Sequence, residues 1–147
     1  MKTVVISDTF NCLLTHRLDL KLILIEWKDY PLSIETYKET FETALHYHAE
    51  FKGNIPNYMA DVRNQPPVSV EARKWFTEDM LPQGVHSGIE RAAFVLNANV
   101  FKRYYMNEIF NSVKQFGIPF KFFNTKDKAL NWIKKVNEPA GNAFLGL

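Results

Sequence analysis

The chain alternates between short apolar runs of strand length and longer segments in which apolar residues return every three or four positions. Val4 to Ile6 is the first short run and predicts an edge strand. Cys12 to His16 and Lys21 to Trp27 predict two more, the second with Leu22, Leu24 and Glu26 on one side and Ile23, Ile25 and Trp27 on the other. Only Arg17 to Leu20 lies between them, so the two pair antiparallel. Pro31 breaks the sheet. Ser33 then caps a helix with Ile34, Tyr37, Phe41, Leu45 and His48 at helical spacing, and Gly53 closes it.

The stretch from Asn57 to Trp75 organises the middle of the chain. Tyr58 to Val62 predicts a strand ending in the pair Asp61 and Arg63. Pro66 and Pro67 exclude helix and ladder pairing, and Ser69 caps the next helix. Ala72, Trp75, Phe76 and Met80 form its apolar face, Pro82 is expected to end it, and Gly84 to Glu90 reads as a loop. Arg91 to Leu96 holds an uninterrupted Ala-Ala-Phe-Val-Leu, the pattern of a central strand covered on both faces. Asn99 is expected to cap a third helix carrying Phe101, Tyr105, Ile109, Val113 and Phe116, which Gly117 stops. Pro119 to Phe123 is the last strand. Thr125 caps the final helix, with Ala129, Ile133 and Val136 on one face.

The element order is therefore β-β-β-α-β-α-β-α-β-α. Right-handed crossovers through the helices make the later strands parallel. The expected fold class is α/β, a mixed and mostly parallel sheet with an antiparallel margin and about four flanking helices. Residues 1–137 are expected to form a single domain, and residues 138–147 a C-terminal tail that is either docked or frayed, the frayed reading coming first.

Composition narrows the class without naming a function. A chain of 147 residues can bury a full core, and 46% hydrophobic against 23% charged residues excludes a disordered chain. No run approaches the roughly 18 apolar residues that span a membrane, and Asp8 interrupts the first apolar stretch too early for a signal peptide. The expectation is a cytoplasmic protein without membrane insertion. Cys12 is the only cysteine, which rules out an internal disulfide and a thiolate metal cluster. Net charge is +2, with −3 over residues 1–100 and +6 over residues 101–137. No Lys/Arg run is long enough to argue for nucleic acid, and the basic third reads first as solvated helix faces.

Several segments carry a resemblance: Leu24-Ile25-Glu26-Trp27-Lys28, Ala60-Asp61-Val62-Arg63-Asn64, Trp75 with Asp79, Leu81 and Pro82, Arg91-Ala92-Ala93-Phe94-Val95, and Lys128-Ala129-Leu130-Asn131-Trp132-Ile133. With the element order, they make the chain resemble the STAS-like domains of sulphate transporters and anti-sigma factor antagonists, in particular the SpoIIAA-like bacterial branch. The resemblance implies a non-catalytic binding or regulatory domain. It also implies a phosphorylated serine where a strand leads into a helix. The matching stretch, Pro66-Pro67-Val68-Ser69-Val70-Glu71, keeps Ser69 as a candidate phosphoacceptor but lacks the family's preceding aspartate and following glycine. An N-capping serine is the simpler reading.

Asp61 and Arg63 lie two apart on a strand and face the same way, so they can meet one ligand or pair with each other. In open α/β sheets ligands gather beyond the carboxyl ends of strands, which makes these two, with Ser69 and with Trp75 and Glu78 a helical turn apart, the leading ligand or partner-binding candidates. His86 beside Ser87 lacks a nucleophile-elbow pattern. His46 and His48 diverge by about 200° on a helix and cannot share a metal. The glycines are too scattered for a phosphate loop, so no metal, no cofactor and no catalytic residue is expected. Aromatics make up 14% of the chain, and one of Tyr104 and Tyr105 must turn away from the sheet. The first expectation is a regulatory domain that binds an unknown protein or a second copy of itself. The alternative is a carrier or sensor of a small amphipathic ligand between helices and sheet, with Arg63 against an acidic head. An enzyme using Asp61, Glu78 or His86 comes third.

Overall fold

A computed structural model describes the backbone of residues 2–97 and 100–138, and side chains outside 98–106. The expected helix cap at Asn99, the faces of Phe101, Tyr104 and Tyr105, and the tail beyond Glu138 lie outside the described residues. Six strands form one sheet in sequence order: β1 (Thr3–Asp8), β2 (Cys12–Arg17), β3 (Leu22–Trp27), β4 (Asn57–Asp61), β5 (Arg91–Val95) and β6 (Phe120–Phe123). β1, β2 and β3 pair antiparallel, and β3 to β6 run parallel. Helices α1 (Ile34–Ala49), α2 (Val70–Trp75) continuing into α3 (Leu81–His86), and α4 (Val100–Lys114) make the crossovers. Helix α5 (Lys126–Val136) follows the last strand.

Because the strand order never reverses, right-handed crossovers place α1, α2, α3 and α4 on the same face. Residues alternate across each strand, so Ile23, Ile25, Ala60 and Phe94 meet Tyr37, Phe41, Phe76, Ile109 and Val113 on that face. Leu22, Leu24, Met59, Ala93 and Val95 point the other way, onto Ala129 and Ile133 of α5. β5 is buried on both sides, as its apolar run predicts.

The three caps read from the sequence form as expected. Ser33, Ser69 and Thr125 accept the backbone N–H groups of Thr36, Ala72 and Lys128 at 3.1, 3.1 and 3.2 Å. α1 ends at Ala49, ahead of Gly53, which turns the chain with φ +85° a few residues later. Pro82 does not end its helix. Phe76–Met80 widen into a π-helical turn, with the Leu81 N–H bonded to the Phe76 carbonyl, and the helix carries on to His86. A proline inside an α-helix normally collides with the carbonyl one turn back, and the wider turn gives its ring room. The expected Gly84 to Glu90 loop is shortened to Ser87–Glu90 accordingly.

Candidate functional site

β4 delivers Asp61 to the carboxyl end of the sheet on the α5 face, two residues beyond buried Met59. The next face-sharing residue is Arg63, and the pair closes on itself. Arg63 Nε donates to Asp61 Oδ1 at 3.0 Å, Nη2 to Oδ2 at 2.7 Å, and the Arg63 backbone N–H to Oδ1 at 3.2 Å. Such a bidentate fork is the strong form of the interaction. The hydrogen bond that Arg63 donates to Asp61, outweighing partial burial, raises the pKa of Arg63. Asp61 faces Glu26 across the β3–β4 ladder, and Lys126 at the start of α5 donates to Glu26 Oε2 at 3.0 Å. Two ion pairs therefore stand side by side at this end of the sheet. A sequence scan missed the second because its partners are 100 positions apart.

The other candidates stand elsewhere. Trp75 packs on the opposite face, 6.1 Å from the rings of Tyr37 and Phe41. Glu78 and His86 are exposed on the long helix, and exposed Ser69 serves as its N-cap. Asp61 and Arg63 are thus brought together, while Ser69, Trp75 and Glu78 belong to a helix packed behind the sheet. A crevice at the carboxyl ends normally opens where strand order reverses, and this sheet has no reversal. No group of three or more His, Cys, Asp or Glu side chains among the described residues is placed to hold a metal. No helix among them is long and apolar enough to cross a membrane.

Two histidines are built into the interior. His48 Nε2 donates to the Ile55 carbonyl at 2.7 Å. His16 on β2 lies 2.8 Å from the Tyr47 hydroxyl through Nδ1 and meets Phe51 edge-on at 4.9 Å. Burial disfavours its charged form and nearby His48 adds to the effect, so its pKa falls below the ordinary 6.5. The unfolded chain then takes up a proton near pH 6.5 that the folded one still refuses. Stability from this group is complete above about pH 6.5 and is lost as pH drops through the lowered folded value. Thermal unfolding followed between about pH 7.5 and pH 5 should show a smaller loss for His16→Leu than for the parent. Equal losses would mean that His16 does not carry the effect.

At the far edge of the sheet no strand among the described residues pairs with the outer side of β6. Phe110, Phe116 and Phe122 are each 37–38% exposed there, and Phe110, Phe120 and Phe122 pack as a ring cluster with centroids 5.0–6.2 Å apart. Lys114 and Lys121 are exposed alongside. These features define an α/β domain whose charges at the carboxyl end of the sheet pair with one another and whose far edge is aromatic and basic. The family model described as Domain of unknown function (DUF7793) matches residues 18–137, and the chain belongs to that family. The matched span begins at the 3-10 turn Leu18–Leu20, so β1 and β2 precede it. No curated protein and no solved structure matches the chain.

Proposed function

We propose that the protein is a STAS-like regulatory domain of the SpoIIAA-like type, acting in the cytoplasm by binding another protein and performing no chemistry of its own. The observation that carries this reading is the β6 edge. An unpaired strand edge is a template for an added strand, and half-exposed Phe116 and Phe122 beside it offer side-chain anchors. Charge selects the partner. The segment 101–137 carries +6, and a second copy laid against β6 would bring Lys121 toward its own like, so the edge favours an extended acidic segment of a different protein. The carrier reading loses its anchor, because Arg63 is already committed to Asp61.

The test is affinity purification from the native cell, identification of the captured protein, and measurement of its affinity for defined variants. Lys121→Glu and Phe122→Ala should each weaken it about tenfold, and the parent's affinity should fall with salt. A captured protein that binds both variants as tightly as the parent would remove the β6 edge as the contact.

A further inference from the structure

A second candidate site lies at the opposite edge of the sheet, under the turn that joins β1 to β2. This turn is held from several directions. Thr9 Oγ1 accepts the Asn11 and Cys12 N–H groups, both at 3.2 Å, and Asn11 Nδ2 donates to the Pro31 carbonyl at 2.9 Å. Lys28 Nζ donates to both Asp8 Oδ1 and the Thr9 carbonyl at 2.7 Å. Phe10 is 77% exposed, yet its ring is stacked on Tyr30 with centroids 5.4 Å apart. Between this turn and α1 remains a cavity of about 210 Å³, several times the apolar voids of about 50 and 30 Å³ inside the core.

Its walls carry charge of one sign only, while the β1–β2 side adds the neutral polar Ser7, Thr9 and Asn11. Its floor is buried Cys12 and Leu14, and burial pushes the Cys12 thiol up to about 12, so the floor is neutral and apolar. Its helical wall is Thr36, exposed Glu39, Thr40 and Thr43 of α1. A threonine hydroxyl has one proton to give. Thr40 gives its proton to the Thr36 carbonyl at 2.8 Å and Thr43 gives its own to the Glu39 carbonyl at 2.9 Å, so both have only lone pairs left for the cavity. No lysine or arginine lines it, and no cation among the described residues pairs with the Glu39 carboxylate. Acceptors, one negative charge, an apolar floor and an aromatic ring at the mouth are together the complement of an alkylammonium group.

We propose that this cavity binds a small aliphatic primary amine as its ammonium ion, with the nitrogen between Glu39 and Thr40, the stem on Cys12 and Leu14, and Phe10 over the entrance. A carboxylate or phosphate would meet the Glu39 carboxylate and find no cation among the lining residues to offset the repulsion. A neutral polyol can bond to the Ser7, Asn11 and Thr36 protons but leaves the Glu39 charge unpaired, and an amino acid sets its own carboxylate against Glu39. The volume equals about seven waters, which suits a short stem and falls below the several hundred Å³ of drug-sized sites. β1, β2 and their turn precede the family-matched span, so six of the ten residues that line this cavity lie outside it. The site is at the other end of the sheet from β6, and its failure would leave the proposed protein contact untouched.

The experiment is a titration of the full chain, isotopically labelled, with n-butylammonium chloride, followed by amide chemical shifts and compared with n-butanol and sodium butyrate. Saturable shifts confined to Phe10, Asn11, Cys12 and the Glu39 to Thr43 turn are expected, with a dissociation constant on the order of 1 mM. Glu39→Gln should weaken binding about tenfold and Thr40→Val severalfold. Glu39→Lys, which places its own ammonium in the site, should abolish binding. The same spectra report whether each variant is folded. Butanol binding as tightly as butylammonium would reduce the site to an apolar void, and unchanged affinity in Glu39→Gln or shifts without saturation up to about 10 mM would equally overturn the proposal.

Discussion

Phe41→Ala should lower the stability of the domain by about 3 to 5 kcal/mol, the range for deleting a buried aromatic ring. Phe41 is buried on α1 and meets Tyr37, Phe76, Trp27 and Trp75 with ring centroids 5.0, 5.1, 5.8 and 6.1 Å away. Through it, as through Tyr37, α1 touches both the sheet and α2. It also borders three interior voids of about 50, 30 and 10 Å³, so truncation joins existing empty space to the new hole. Cost rises with the volume left unfilled, which places the expected loss toward the upper end. Against a typical total of about 5 to 15 kcal/mol, this is a large share. Denaturant midpoints should show it, with Phe116→Ala at the half-exposed edge costing under about 1 kcal/mol as the comparison. Equal costs for the two would refute the central role of Phe41.

The element order was legible because period-2 and period-3.6 patterns alternate and each helix start carries a capping oxygen. Ser33, Ser69 and Thr125 make the bonds their positions require. The error at Pro82 has a physical cause: a local rule about proline yields when the preceding turn widens, and nothing in Phe76 to Met80 announces that. The side-by-side placement of Asp61 and Arg63 was legible from their spacing of two. Their separation from Trp75 and Glu78 was not, because it depends on which helix covers which face. That follows from strand order, which periodicity does not contain. The pairing of Glu26 with Lys126 and the cavity between Phe10 and Glu39 were hidden for the same reason, since their residues meet only after the sheet is assembled.

The clearest case of such a long-range device is Asn57, and Asn57→Ala should cost about 3 kcal/mol. Asn57 is fully buried at the start of β4. Its Nδ2 donates to the Leu20 carbonyl at 2.9 Å and to Asn137 Oδ1 at 2.8 Å, and its Oδ1 accepts from Arg91 Nη1 at 2.7 Å. Asn137 donates in turn to the same Leu20 carbonyl at 2.6 Å. One amide thus joins the entry to β3, the starts of β4 and β5, and the end of α5. These are also the two ends of the family-matched span, which runs from the Leu18–Leu20 turn to Asn137. Alanine leaves the Arg91 guanidinium without this acceptor in a half-buried setting, and such an orphaned charge costs more than the bond itself contributes. Asn57→Asp keeps the shape and the acceptor for Arg91 but sets a carboxylate oxygen against the Leu20 carbonyl, so it should fail to restore the parent's stability. A double-mutant cycle with Asn137→Ala should show a coupling of at least about 0.5 kcal/mol, because both side chains serve one carbonyl. Strict additivity would mean that the four groups act separately and that the ends of the domain are closed by packing of Ala129 and Ile133 alone.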